Sequence, residues 1–311
     1  MQKHIAKLRM KIPRYRHWKD LGSQAVQEVS DRYEKTYQRF FAKQGRLPRF
    51  RKVKKYRSFT LKQASWKLED ETPKKRHRKL KIGKTTYKMV YHRPLRGEIK
   101  TVTIKRDSCN RLWVCFSVIE RVIVPDVAST GKIGGFDFGL RTFLTADNGQ
   151  TADAPLFYRA DLPRMRRVQS HVSKKVKGSR NRVEGQRHIA RRQIRIADKR
   201  RDWHYQLAHD LCDIYDVMVF EDLNIAAMKR LWGRKVSDLG FAQFMDILKW
   251  VAWKRGKRII QIDRWERTTG LCSACGHRQN LELSEREFKC GCCGIELDRD
   301  HNAARNIVAA G

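Results

Sequence analysis

The spacing of apolar residues changes character twice along the chain. Over residues 1–50 it is helical, most clearly in Leu21–Phe41, where Ala25, Val26, Val29, Tyr33 and Tyr37 recur at spacings of three and four. Gly45–Arg57 (GRLPRFRKVKKYR) interrupts the period as a basic loop. From Ser58 to about Ile123 the texture becomes short alternating runs: SFTLKQ, TYKMVYH, IKTVTIK and RLWVCFSVIE. Basic turns such as ETPKKRHRKLKIGK divide them, and RDSCNR reads as a hairpin turn. Alternation at this length predicts antiparallel strands of a small barrel or sandwich. Residues 124–132 (VPDVASTGK) read as a linker.

Beyond the linker the pattern shifts again. Ile133–Phe138 and Thr142–Ala146 predict two strands joined through Gly139-Leu140-Arg141, with DNGQ as the following turn. Residues 162–205 are basic and helical, broken by the glycine-bearing loop KKVKGSRNR (174–182), and a long helix continues to about Ile214. Asp216–Phe220 is a short buried strand, Phe241–Lys254 a helix, Arg258–Asp263 another strand and Asp300–Ala310 a closing helix. Strand pair, helix, strand, helix, strand, helix is an α/β layout of the ribonuclease H kind. No apolar run approaches the ~18 residues a spanning helix needs, and the basic first fifteen residues lack the apolar centre of a secretory signal. A cytoplasmic protein is expected, nucleoid-associated in a prokaryote, with no membrane partner.

Charge narrows the partners. Lys and Arg total 69 against 33 acidic residues, a formal net charge of +36. Such self-repulsion favours a polyanionic partner, and nucleic acid bound with counterion release is the natural one. Two clusters are candidates for phosphate rather than base contacts: Arg49, Arg51, Lys52, Lys54 and Lys55, and Lys174, Lys175, Lys177, Arg180 and Arg182. Trp250, Trp253 and Trp265 read as core or cysteine-cluster packing rather than base-stacking platforms.

Five of the eight cysteines fall within residues 272–293. Cys272-x2-Cys275 and Cys290-x2-Cys293, separated by fourteen residues, form two knuckles that predict a structural zinc ribbon with four thiolates at ~2.3 Å from the ion. Cys292 is the spare, able to replace Cys290 or Cys293 only with altered knuckle geometry. Cys115 and Cys212 read as small buried hydrophobes and Cys109 as an incidental turn residue.

Three carboxylates stand where an open α/β sheet presents chemistry. Asp137 lies near the end of the first strand (GGFDFGL), Glu221 ends DVMVFE, and Asp300 opens the closing helix. Taken singly, each could be a turn or cap residue, and Asp298 competes with Asp300. Together they suit two Mg2+ (or Mn2+) ions ~4 Å apart, hard cations that take carboxylate oxygen and clamp the attacking water and the leaving oxygen of a phosphodiester in a two-metal mechanism.

Four stretches carry a family resemblance. GGFDFGLRTFLT resembles the first RuvC motif of the TnpB family, VFEDLNIAAM the second, and DRWERTTGLCSACGHR…CGCCGIELDRDHNAARNI the ribbon plus third motif. KKVKGSRNR…RIADKRRDWHYQLAHDL is similar to the family's helical connection, and the likeness, shared with miniature type V CRISPR effectors, covers roughly residues 20–311. It implies an RNase H-like (RuvC) nuclease domain over 126–311 with the zinc ribbon 268–297 inserted. A wedge-like β domain over 56–125 and a helical recognition-like segment over 1–55 would precede it. It implies Asp137, Glu221 and Asp300 as the catalytic carboxylates, a guide RNA from the transposon end, double-stranded target DNA and a short recognised motif beside the target. Family members commonly begin with an additional strand and helix, so the wedge and recognition parts are expected to be incomplete. The expected activity is RNA-guided DNA hydrolysis. A non-cutting RNA-guided binder or repressor, a transposase and a zinc-ribbon RNA-binding protein are the competing classes.

Overall fold

The computed structural model describes residues 2–15, 22–49, 55–62, 65–69, 76–121, 123, 130–266, 268–282 and 285–311. The chain divides into two compact units, Met1–Val122 and Ile123–Gly311.

The first unit holds α1 (Gln2–Lys11), α2 (Gly22–Phe41) and six strands: β1 (Ser58–Leu61), β2 (Trp66–Glu69), β3 (His77–Ile82), β4 (Thr85–Val90), β5 (Glu98–Arg106) and β6 (Leu112–Ile119). They pair antiparallel as two three-stranded sheets, β1-β5-β6 and β2-β3-β4. Three expectations change here. The supposed basic turn ETPKKRHRKLKIGK contains β3, whose Lys79-Leu80-Lys81-Ile82 alternates with Leu80 fully inside, so high charge hid a period of two. The apolar stripe of α2 is covered only in part: Ala25 is buried and Val29 and Tyr33 stay exposed, while Arg32 donates to the Ser58 carbonyl and to Thr60 Oγ1, both at 3.2 Å. Cys115 faces outward on β6, and Cys109 is buried in its turn.

The second unit is built on one mixed sheet. β7 (Ile133–Asp137), β8 (Leu144–Ala146) and β9 (Thr151–Ala152) form an antiparallel meander, and β10 (Val217–Glu221) and β11 (Arg258–Ile262) extend it parallel to β7. The spatial order is β11-β10-β7-β8-β9, with the remaining elements being α3 (Phe157–Ser173), α4 (Arg180–Ile214), α5 (Ile225–Leu239), α6 (Phe241–Lys254), the hairpin β12 (Glu287–Lys289) and β13 (Glu296–Asp298), and α7 (Arg299–Ala310). This is the α/β arrangement the strand and helix order predicts.

Because side chains alternate along a strand, the two faces carry different residues. Phe136, Met218 and Phe220 face α4 and α6, in a core where Phe138, Phe143, Phe241 and Phe244 meet edge-on and stacked at 5.1–6.0 Å. Val219 turns the opposite way, toward Ile307 and Val308 of α7. Residues 135, 137, 219 and 221 therefore share the α7 face.

Two helices escaped or outran the sequence pattern. α3 starts at Phe157, five residues before the expected stretch, because its cap is remote: buried Asp238 accepts from Tyr158 N and Arg159 N at 3.0 Å each. α5 is capped locally by Asn224, which accepts from Ala227 N, but Gly233 and non-helical angles at Trp232 interrupt its period.

A Cβ on Gly135 would lie 2.3 Å from the Ala304 carbonyl oxygen and 2.7 Å from Val308 Cβ, so α7 rests directly on the β7 backbone. Gly135→Ala is therefore expected to destabilise the second unit by ~1–3 kcal/mol, the usual cost of overpacking, as read from denaturant unfolding of the full chain. A variant as stable as the parent would show that α7 can lift off without loss.

Candidate active site and metal centre

The α7 face gathers the three carboxylates. Phe220 pairs with Phe136 in the parallel β7–β10 ladder, which sets Glu221 beside Asp137 at neighbouring strand ends. Ala304 and Val308 lie over Gly135, and Asp300 is one further step of four back along the same helical stripe. Four helical residues rise ~6 Å and two strand residues ~6.6 Å, so stepping from Ala304 to Asp300 on α7 matches stepping from Gly135 to Asp137 on β7. Gly139 keeps the space beside Asp300 open, since a Cβ there would sit 3.5 Å from Asp300 Oδ2 and 2.6 Å from the Thr142 carbonyl oxygen. Asp298, the rival candidate, is the helix cap: its Oδ1 accepts from Asp300 N at 2.9 Å and His301 N at 3.2 Å.

The electrostatics are those of a site short of positive charge. Burial pushes Asp137 up to about 7, and the charges of Asp300 and then Glu221 push in the same direction, offset in part by Arg299 and the Phe138 amide. Glu221 is also raised, first by burial and then by Asp222. Asp300 lies between two guanidinium groups, with Arg286 Nη1 3.8 Å from Oδ2 and Arg299 Nε 3.4 Å from Oδ1. The three acids thus interact as charged neighbours at adjoining strand ends, but their oxygens do not form a group within 4.8 Å of one another as the ribbon sulfurs do.

The ribbon is a separate, soft-donor centre. Cys272, Cys275, Cys290 and Cys293 bring their sulfurs within 4.8 Å of one another, the one such group of ligand atoms among the described residues. The Cys272–Cys293 and Cys275–Cys290 Sγ separations are 3.7 and 3.6 Å, close to the ~3.8 Å edge of a tetrahedron with 2.3 Å metal–sulfur bonds. The amides of Cys293 and Cys292 point at Cys290 Sγ and pull that thiol down to about 6, preparing a thiolate. Cys292 lends its amide while its side chain is exposed outside the set. Cys212, by contrast, is pushed up to about 11 by burial, as an inert core thiol should be.

The basic candidates scatter. Arg51, Lys52 and Lys54 lie outside the described residues, while Arg49 and Lys55 are exposed. Lys174, Lys177 and Arg180 are exposed at the α3–α4 junction. Arg182 instead donates to the carbonyls of Lys175 and Ser173 at 2.5 and 3.0 Å, closing the end of α3, and Lys175 reaches the Asn181 carbonyl. Around that junction Arg167, His171, Lys175, His188 and Arg191 line an open cavity of about 490 Å³. The three tryptophans correct the sequence expectation. Trp250 and Trp253 stack on the surface of α6 at 5.3 Å with Lys254 Nζ 4.7 Å from the Trp250 ring, and Trp265 is 84% exposed. Arg286, Arg299, Gly135 and Gly139 were missed as site residues, and only the Gly134-Gly135 pair ahead of Asp137 hinted at a close approach.

Comparison with known proteins gives the chain its relatives. A Cas12f1-like TNB domain model matches residues 241–307, and the OrfB_IS605 model, described as "Probable transposase", matches 114–231. A Streptomyces pristinaespiralis protein named "Putative RNA-guided DNA endonuclease" is 33% identical over 300 residues, covering 94% of this chain and 72% of that protein. InsQ of Escherichia coli K12, with the same description, is 28% identical and covers 94% and 75% respectively. TnpB-like protein L79 of Acanthamoeba polyphaga mimivirus is 28% identical over 72% of this chain and 46% of its own length. The Cas12f1 chain from a cryo-EM structure with sgRNA and target DNA superposes with a TM-score of 0.57 at 16% identity, covering 92% of this chain and 71% of that one, a likeness of fold. The chain belongs to the TnpB family. No helix among the described residues is long and apolar enough to cross a membrane.

Two measurements follow from the geometry. An aspartate whose folded pKa is raised lends stability that is complete below its unfolded pKa of ~3.9 and is lost as pH rises through the folded value. In buffer without magnesium or manganese, Asp137→Asn should be ~2–4 kcal/mol more stable than the parent above pH 7. That advantage should vanish below about pH 4 and shrink when Mn2+ is added. Equal unfolding midpoints at pH 8 would show that Asp137 is not electrostatically frustrated. For the ribbon, Co2+ substitution should give the visible spectrum of a tetrahedral four-thiolate site. Cys275→Ser should change that spectrum and Cys292→Ser should leave it intact.

Proposed function

We propose that this chain is an RNA-guided DNA endonuclease of a transposable element, with a ribonuclease H-like (RuvC) nuclease unit that hydrolyses phosphodiester bonds. The observation that carries the reading is the convergence of Asp137, Glu221 and Asp300 on the α7 face, with Asp137 held up at about 7 by burial and by its two neighbours. Asp137, Glu221 and Asp300 would hold the Mg2+ or Mn2+ ions, and the four cysteines a structural Zn2+. When bound, divalent cations supply an activated water and stabilise the leaving oxygen. Arg286 and Arg299 would orient Asp300, and the charge of Arg299 also reaches Asp137.

The name of the Streptomyces relative and the partners in the Cas12f1 structure support guide RNA and double-stranded target DNA as partners. Base pairing would then read sequence, while the +36 chain holds the backbone of the heteroduplex. The exposed Lys174, Lys177 and Arg180 suit that backbone role, and Arg182 serves the hairpin itself. The second sheet system, β1–β6, takes the wedge-like role in this reading.

The test is to co-express the chain with its native flanking DNA, sequence the RNA that co-purifies, and present a matching duplex. Cleavage with Mg2+ is expected, leaving 5′-phosphate and 3′-hydroxyl ends. Asp137→Ala should lower it by more than a hundredfold while target binding in a shift assay stays within about twofold. Cutting that persists in Asp137→Ala would overturn the assignment. Binding without cutting in the parent would favour a guided repressor.

A further inference from the structure

Asp300 opens a helix that is clamped on both sides. One side rests on the β7 backbone at Gly135. The other is bonded to the ribbon through two buried asparagines, roughly half a turn around the helix from Asp300. Asn302 Oδ1 accepts from Ser273 N at 3.0 Å, and its Nδ2 donates to the Leu271 carbonyl at 2.7 Å. One turn on, Asn306 Nδ2 donates to the carbonyls of Thr268 and Leu271, both at 2.7 Å. These backbone groups flank Cys272, the first ligand of the knuckle. Buried amides are costly unless their polar atoms are met, so the pair is a fixture dedicated to this loop. The second half of the ribbon reaches the same helix end: Arg299 N donates to the Arg286 carbonyl at 2.7 Å and Arg299 Nη1 to the Glu285 carbonyl at 3.0 Å. The same two arginines face the Asp300 oxygens.

Resting on the carboxylate reading above, we propose that the ribbon is a brace for Asp300. Asn302 and Asn306 are positioning residues that carry the fold of the four-cysteine knuckles to α7, and metal in the ribbon thereby sets the divalent-cation affinity of the carboxylate centre. The physical basis is leverage. The knuckles fold only around their metal, the loop at Thr268–Ser273 is shaped by them, and a rigid helix passes any displacement of that loop to its first turn. Outer partners of this kind commonly change metal affinity tenfold or more when removed.

The test uses the full chain with Asn302→Ala, Asn306→Ala, the double variant and Asn302→Asp, with Asp137→Ala as reference. Zinc per chain is measured by atomic emission and Mn2+ affinity by electron paramagnetic resonance titration. The double variant should keep its zinc yet bind Mn2+ ~10-fold or more weakly. Asn302→Asp keeps the acceptor for Ser273 N and should fall between. Stripping zinc from the parent with a thiolate-directed chelator should weaken Mn2+ binding likewise. If the double variant does not fold, Asn302→Asp carries the test, with a several-fold loss expected at full zinc content. Parent-like Mn2+ affinity in the folded variants, or in the zinc-stripped parent, would overturn the brace. If Asp137→Ala itself binds Mn2+ like the parent, it is the carboxylate reading that fails.

Discussion

The close approach of α7 to β7 at Gly135 is the contact on which the second unit depends. Helix and sheet normally stand a side chain apart, yet here the Ala304 carbonyl occupies the space a Cβ would take. That intimacy turns two unrelated periodicities into one register, so the helical stripe 300, 304, 308 tracks the strand positions 137 and 135. The placement of the three acids is therefore a by-product of packing.

The two candidate ligand sets differ in donor hardness. Sulfur ligands lie in the ribbon, where amides from neighbouring residues lower the thiol of Cys290, and oxygen ligands lie on the sheet, where burial raises Asp137. Within the ribbon the Cys275 and Cys293 thiols are raised while that of Cys290 is lowered, so one sulfur of the four is prepared to lose its proton first. A thiolate is ready before the soft cation arrives, whereas the buried carboxylate is uncomfortable until a hard one neutralises it. The sheet gives up stability for that readiness, a trade common at catalytic centres.

Much of this was legible in the residues because it is local. Cysteine spacing identifies the four-sulfur cluster, strand-end position singles out the acids that the fold brings to one face, and the order of strands and helices identifies the sheet. What was not legible depends on contacts between distant segments. The first turn of α3 is stabilised by Asp238, some eighty residues away, so no nearby cap announced it. β3 was hidden because its outward positions are all basic, which made a strand look like a charged turn. The α2 spacing predicted the helix but not that Arg32 would bond it to β1. The tryptophans of α6 misled in the opposite sense, as large aromatics at helical spacing that lie on the surface. Asp298 and Asp300 could be ranked by sequence alone, but only the hydrogen bonds of the helix start separate a cap from a candidate ligand.

The wide separation of the triad along the chain has a consequence for biosynthesis. Asp137 and Glu221 lie on strands that can pair as soon as residue 221 has been made, whereas the helix carrying Asp300 must reach Val308 before it can seat on Gly135. Chains are synthesised at about 5–20 residues per second, and their N-terminal parts fold first. The basic surfaces of the first unit and of α3–α4 are thus made before the three acids can come together. A nascent chain can meet a polyanion during translation while the carboxylate cluster is still incomplete.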